Sequence, residues 1–167
     1  MKVGVDSYSY HRLYGEIYPN QVDPGRRWDF AQCIEETVRV GGAGISLETC
    51  FMPRFDADYL AQLKDALDAN NLERMVAWGH PDGLEGGKKP EAAREMEQHL
   101  LTTQAVGGTV MRIVGSSLMF RDDPHGPQIE KLSAILKESV KKAEDLGIRM
   151  AIENHIDFTA DEILEIL

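Results

Sequence analysis

The sequence predicts an α/β protein: a (β/α)8 TIM barrel of which about the first five β/α units are present, residues 1–167 forming one domain. Three observations predict it. Short apolar runs alternate five times with amphipathic stretches. No strand–strand hairpin signal interrupts them, which argues for a parallel sheet. Each unit takes roughly 30 to 35 residues, so eight would need about 270, the usual size of a closed barrel. An open doubly wound sheet could be complete with five strands, but the first β/α loop lacks the G-x-G-x-x-G phosphate cradle.

The elements follow in order. The first strand is read over Lys2–Tyr10. A long loop with Gly15, Pro19, Pro24 and Gly25 leads to a helix over Trp28–Val38, whose Phe30, Ile34 and Val38 recur every four residues as one apolar stripe. Gly41-Gly42 ends it. A second strand over Gly44–Thr49 precedes a helix from about Asp56 to Asn70, with Tyr59, Leu60, Leu63 and Leu67 on one side. The third strand, Leu72–His80, opens into a glycine-rich loop, Pro81–Lys89. Pro90 then starts a helix that runs to Ala105 before Gly107-Gly108. The fourth strand is Thr109–Ser116, and its helix, Gln128–Leu146, offers Leu132, Ile135, Val140 and Ala143 to the core. The fifth strand is Ile148–His155. Thr159, with Glu162 three residues on, signals the capping box of a fifth helix. That helix stops at Ile163-Leu164-Glu165-Ile166-Leu167 with no cap, and reads as an interrupted chain.

Composition excludes several classes of function. No apolar run approaches the roughly 20 residues that cross a bilayer, and the polar N-terminus has no signal-peptide core. Lys and Arg number 18 against 28 Asp and Glu, a formal charge of −10. That sign opposes nucleic-acid binding, whose affinity comes from neutralising phosphates. Cys33 and Cys50 fall in different elements without metal-knuckle spacing, so a reducing cytoplasm is the simplest home.

In a barrel the active site is built at the C-terminal ends of the strands. Those ends carry His11, Glu48, His80, Arg112, Glu153 and His155. A carboxylate among apolar neighbours is costly unless it is paired or bound to a metal. Glu153, directly after Met150-Ala151-Ile152, therefore reads either as a metal ligand doubling as an acid/base group or as a salt bridge inside the barrel to Arg112. For Glu48 the salt bridge is the better reading. His155 lies two residues beyond Glu153 on the same strand face and can serve as a donor or a base near neutral pH. His11, Glu48, His80 and Arg112 are expected to bind substrate, although the Pro81 and Gly83 beside His80 also fit a plain turn. His99 and His125 read as surface residues.

At Met150-Ala151-Ile152-Glu153-Asn154-His155-Ile156-Asp157-Phe158 the chain resembles the fifth strand of the xylose isomerase-like barrel superfamily. This superfamily contains sugar and sugar-phosphate isomerases and epimerases, inosose dehydratases, endonuclease IV-type nucleases and C-glycoside deglycosidases. The openings Val3–Tyr8, Gly44–Glu48 and Val110–Val114 look like their counterparts. The resemblance implies a divalent metal (manganese first, or magnesium or zinc) with Glu153 as its first ligand, the others lying beyond Leu167. It implies catalysis by His155 and Glu153 through metal-assisted proton transfer, and a chain that is inactive unless a complementing subunit or second copy completes it. Endonuclease IV-type proteins follow the Glu-Asn pair with small residues, whereas this chain has His155-Ile156. Tagatose-type epimerases carry a Glu where this chain has Thr159. A sugar or sugar-phosphate isomerase or epimerase is the leading expectation, with a C-glycoside-cleaving lyase next and a non-catalytic sugar-binding half-barrel as the reading from another class. Substrate choice is expected in the loops Tyr14–Arg27 and Leu118–Pro127.

Overall fold

The computed structural model describes residues 1–78 and 83–167. Five parallel strands, β1 (Gly4–Asp6), β2 (Gly44–Glu48), β3 (Glu73–Ala77), β4 (Val110–Val114) and β5 (Arg149–Glu153), lie side by side in sequence order. Helices α1 (His11–Tyr14), α2 (Phe30–Arg39), α3 (Ala57–Ala69), α4 (Pro90–Ala105), α5 (His125–Asp145) and α6 (Ala160–Ile166) connect or follow them. Sequential order with parallel pairing is what successive β/α crossovers of one hand produce, and it is the arrangement of a barrel wall. No helix of the described residues is long and apolar enough to cross a membrane.

Local signals set most helix ends. Asp29 and Thr159 cap α2 and α6 in reciprocal boxes with Gln32 and Glu162, and Asp56 caps α3 through the Tyr59 amide. Pro90 opens α4. Gly41, Gly107 and Gly147 adopt positive φ just after α2, α4 and α5, where a side chain would be strained.

The interior differs from the expected stripes in instructive places. Val38 is 44% exposed, while Cys33 and Thr37 are buried. Strict spacing by four drifts round a helix of 3.6 residues per turn, and Phe30, Cys33, Ile34 and Thr37 keep the face in phase. Thr37 tolerates burial because its hydroxyl donates to the Cys33 carbonyl at 2.8 Å. On α5 the same phase shift exposes Val140 and buries Leu136 and Ser139 instead. His99 is not a surface residue: it lies three positions after Met96 on the buried face of α4, against the Phe55 ring at 4.8 Å. Burial lowers its pKa. His125 is also engaged, donating towards Glu162 from Nδ1 and the Arg121 carbonyl from Nε2, both at 2.7 Å.

The strands are shorter than the apolar runs. β1 ends at Asp6, whose carboxylate accepts the Tyr8 amide and turns the chain into a 3-10 turn, Ser7–Tyr10. Similar turns follow β2 at Thr49–Phe51 and lie beyond β4 at Leu118–Phe120. Buried apolar residues form two clusters. One gathers α2, α3, β2 and Val76 of β3; the other gathers α4, α5, α6, β4 and Ile148 before β5. They meet where, among the described residues, the ladder is shortest: β3 and β4 pair at Val76–Met111 and Ala77–Arg112, against five pairs on either side.

Candidate functional site

Side chains two apart along a strand share a face. On the sheet face away from the helices this places Asp6, Glu48, Ala77, Arg112 and Glu153 towards the C-terminal ends of the five strands. Ala77 and Ala151 are the register partners of Arg112 on its two neighbouring strands. With a methyl group on each side, the guanidinium extends across both. Its Nη2 donates to Glu48 on β2 and its Nη1 to Glu153 on β5. The ion pair that the sequence left open is thus present, and it is shared by two carboxylates. Among the described residues, no hydrogen-bond partner meets the buried Nε of Arg112.

The electrostatics follow from burial. Glu48 is 1% exposed. Desolvation pushes its carboxyl up to about 7, against the opposing pull of Arg112 and with help from Asp6 and Glu153. Burial works against the charge of Arg112, but Glu48 and Glu153 outweigh it and raise its pKa. The Cys50 thiol beside them is pushed up to about 12, first by burial and then by Glu48. It is a poor nucleophile there.

These groups border a cavity of about 1120 Å³ at the C-terminal mouth of the sheet. Its wall also includes Tyr8, His11, Glu16, Tyr18, Trp78 and His155. The structure therefore brings His11, Glu48, Arg112, Glu153 and His155 to one cavity; His80 lies outside the described residues. His11 is fixed by the Tyr8 carbonyl and the Gln21 side chain, both at 2.9 Å. Glu16 and Tyr18 were not among the candidates. They sit in the β1–α2 connection, where no periodicity marks an inward side chain. The loops are tied together behind the site: the Ser116 amide donates to Asp157 at 2.8 Å, and Asn154 to the Phe158 carbonyl at 2.9 Å.

A catalytic divalent cation needs about three or four protein ligands. Among the described residues, no group of three or more His, Cys, Asp or Glu side chains could hold one. Glu153 is a single donor, and these residues do not make a metal site by themselves.

The family described as xylose isomerase-like TIM barrel matches residues 34–167. No curated protein matches the chain in sequence. Among solved structures, D-psicose 3-epimerase from Clostridium cellulolyticum H10 with D-tagatose superposes with a TM-score of 0.73 at 14% identity, covering 99% of this chain and 60% of that one. L-ribulose 3-epimerase gives 0.72 at 15% identity, covering 100% and 56%. The IOLI protein, whose structure carries a zinc atom, gives 0.69 at 14%, covering 99% and 58%. At these identities the likeness shows the shared fold, and the chain spans about 60% of the length of the first of these structures.

Proposed function

The chain belongs to the xylose isomerase-like TIM barrel family, and on that footing we propose that it supplies the N-terminal part of a sugar isomerase or epimerase that moves a proton beside a ketose carbonyl. The observation that carries the reading is the Glu48–Arg112–Glu153 arrangement inside an aromatic-walled cavity at the strand C-termini. Carboxylates and a guanidinium suit hydroxyl and carbonyl oxygens, and ring faces suit the apolar C–H surface of a sugar.

In this reading Glu48 can hold or release a proton near neutral pH, the condition for acid–base work on a weakly acidic C–H bond. The proton leaves the carbon next to the carbonyl. It returns to the opposite face in epimerisation, or to the neighbouring carbon in isomerisation. Arg112 orients the carbonyl oxygen and stabilises the negative charge that develops on it. His155, on the rim beside Glu153, is the second group placed to exchange a proton. Glu153 also offers one carboxylate to a divalent cation of the manganese, magnesium or zinc type, which would polarise the substrate when bound. The remaining ligands would have to come from outside the described residues. These residues alone are therefore expected to bind a ketose without turning it over.

The test is a ¹H NMR titration with D-psicose and D-tagatose, followed by hydrogen exchange at the carbon beside the carbonyl in deuterated water. Binding that Arg112→Met abolishes, with exchange appearing once the remaining ligands are supplied, supports the reading. A chain that binds neither ketose would falsify it.

A further inference from the structure

We propose that Glu16, with Tyr8 and Tyr18, forms a second subsite on the rim of the cavity that binds the hydroxyl groups at the far end of the sugar, away from the reacting carbon. The inference rests on the function proposed above and assigns the part of the substrate that the Arg112 cluster leaves unaddressed.

Tyr8 lies in the turn after β1, and Glu16 and Tyr18 lie in the connection to α2. All three border the same cavity as Glu48, Arg112 and Glu153. Both phenol hydroxyls reach one carboxylate oxygen: Tyr8 Oη is 2.9 Å and Tyr18 Oη 2.8 Å from Glu16 Oε1, and the two phenol oxygens also touch each other. A phenol carries one proton. The two protons are shared between Oε1 and the contact of the phenol oxygens, in which either oxygen can donate, and each phenol oxygen retains acceptor capacity. Glu16 also keeps its Oε2, to which no described residue donates. The cluster is thus rich in acceptors at the point where it meets the cavity. The chemistry it fits is a run of O–H donors, as on the tail of a polyol, whereas a phosphate there would meet a carboxylate.

The subsite is held in place before any ligand arrives. The His11 ring stacks on Tyr8 at 5.2 Å with 22° between planes, and Gln21 Oε1 faces both His11 Nε2 at 2.9 Å and the Tyr18 amide at 3.1 Å. Such preorganisation lowers the ordering cost of binding. Burial, and then the bonds to Tyr18 and Glu16, raise the pKa of Tyr8, so its proton stays in place through the neutral range.

The experiment compares NMR-derived dissociation constants for a six-carbon ketose, D-psicose, and a four-carbon one, erythrulose. The wild-type chain is expected to bind the longer sugar about tenfold more tightly, the size of one hydrogen bond to a charged group. Glu16→Ala should erase that preference without weakening erythrulose, and the milder Tyr18→Phe should reduce it. Equal binding of both sugars by the wild type, or an equal loss for both on Glu16→Ala, overturns the subsite and leaves the proposed function standing. Tighter binding of a six-carbon ketose 6-phosphate than of D-psicose also overturns it. If no ketose binds at all, the proposed function falls and takes the subsite with it.

Discussion

Replacing Glu48 by glutamine keeps the shape of the side chain and removes its titration. In the wild type, burial pushes this carboxyl from 4.5 to about 7 although Arg112 pulls it down. A folded-state value above the unfolded one means that the folded chain binds the proton more tightly. The contribution to stability is then full below the unfolded value and is lost as the pH rises through the folded one. At about 1.4 kcal/mol per pH unit, the loss amounts to about 3 kcal/mol. Glutamine carries no such slope, and Arg112 keeps Glu153 as its partner in the variant. The assay is urea unfolding followed by tryptophan fluorescence, with Trp78 buried beside the cavity. The variant should gain on the wild type by about 3 kcal/mol between about pH 4 and about pH 8, because the substitution removes the Glu48 titration itself. Two stability curves that run parallel across that range would refute the argument.

His125→Gln should flatten a second pH dependence of the same sign: the Arg121 carbonyl, then Glu162, raises the imidazolium pKa, so the contact supports folding below about 6.5 and fades as the pH climbs past the folded value. Hydrogen exchange of the α6 amides against pH reads it, since Glu162 lies in the first turn of that helix. Thr159→Ala removes the cap of α6 and should cost about 1 kcal/mol, measured by chemical denaturation. Ala151→Leu should abolish ketose binding in the NMR titration by crowding Arg112 off Glu153, the strand neighbour that its guanidinium reaches past Ala151. Gly83→Ala should destabilise, since its Cβ would lie 2.6 Å from the Val114 carbonyl oxygen at a positive φ; thermal unfolding checks it.

What could be read from the chain alone was local or periodic. The Thr159–Glu162 box, Pro90 and the glycines after α2, α4 and α5 act within one turn of helix, so their residues announce them. The order of apolar runs carried the parallel sheet for the same reason. Phase was harder: Val38 and Cys33 exchange places because tertiary contact, not hydrophobicity alone, selects the buried face. His99 hid behind its polarity, although its spacing from Met96 and Thr103 matched a buried stripe. Within the site, Glu48, Arg112 and Glu153 were visible as polar residues at apolar strand ends. Their mutual contact was open, because it depends on which residues share a register and on Ala77 and Ala151 being small. Glu16 and Tyr18 had no signal at all, since their meeting with Tyr8 is decided by the path of an irregular loop.

The short ladder between β3 and β4 has a mechanical consequence. On one side of it stands the core around α2 and α3, on the other the core around α4 and α5. Arg112 stands in that ladder opposite Ala77: its carbonyl takes the Trp78 amide at 2.9 Å, and its guanidinium grips one carboxylate from each half. Among the described residues this junction is narrow, and the guanidinium ties its two sides together. In the function proposed above, a ligand that takes Glu48 or Glu153 from Arg112 would exchange one of these ties for a contact of its own.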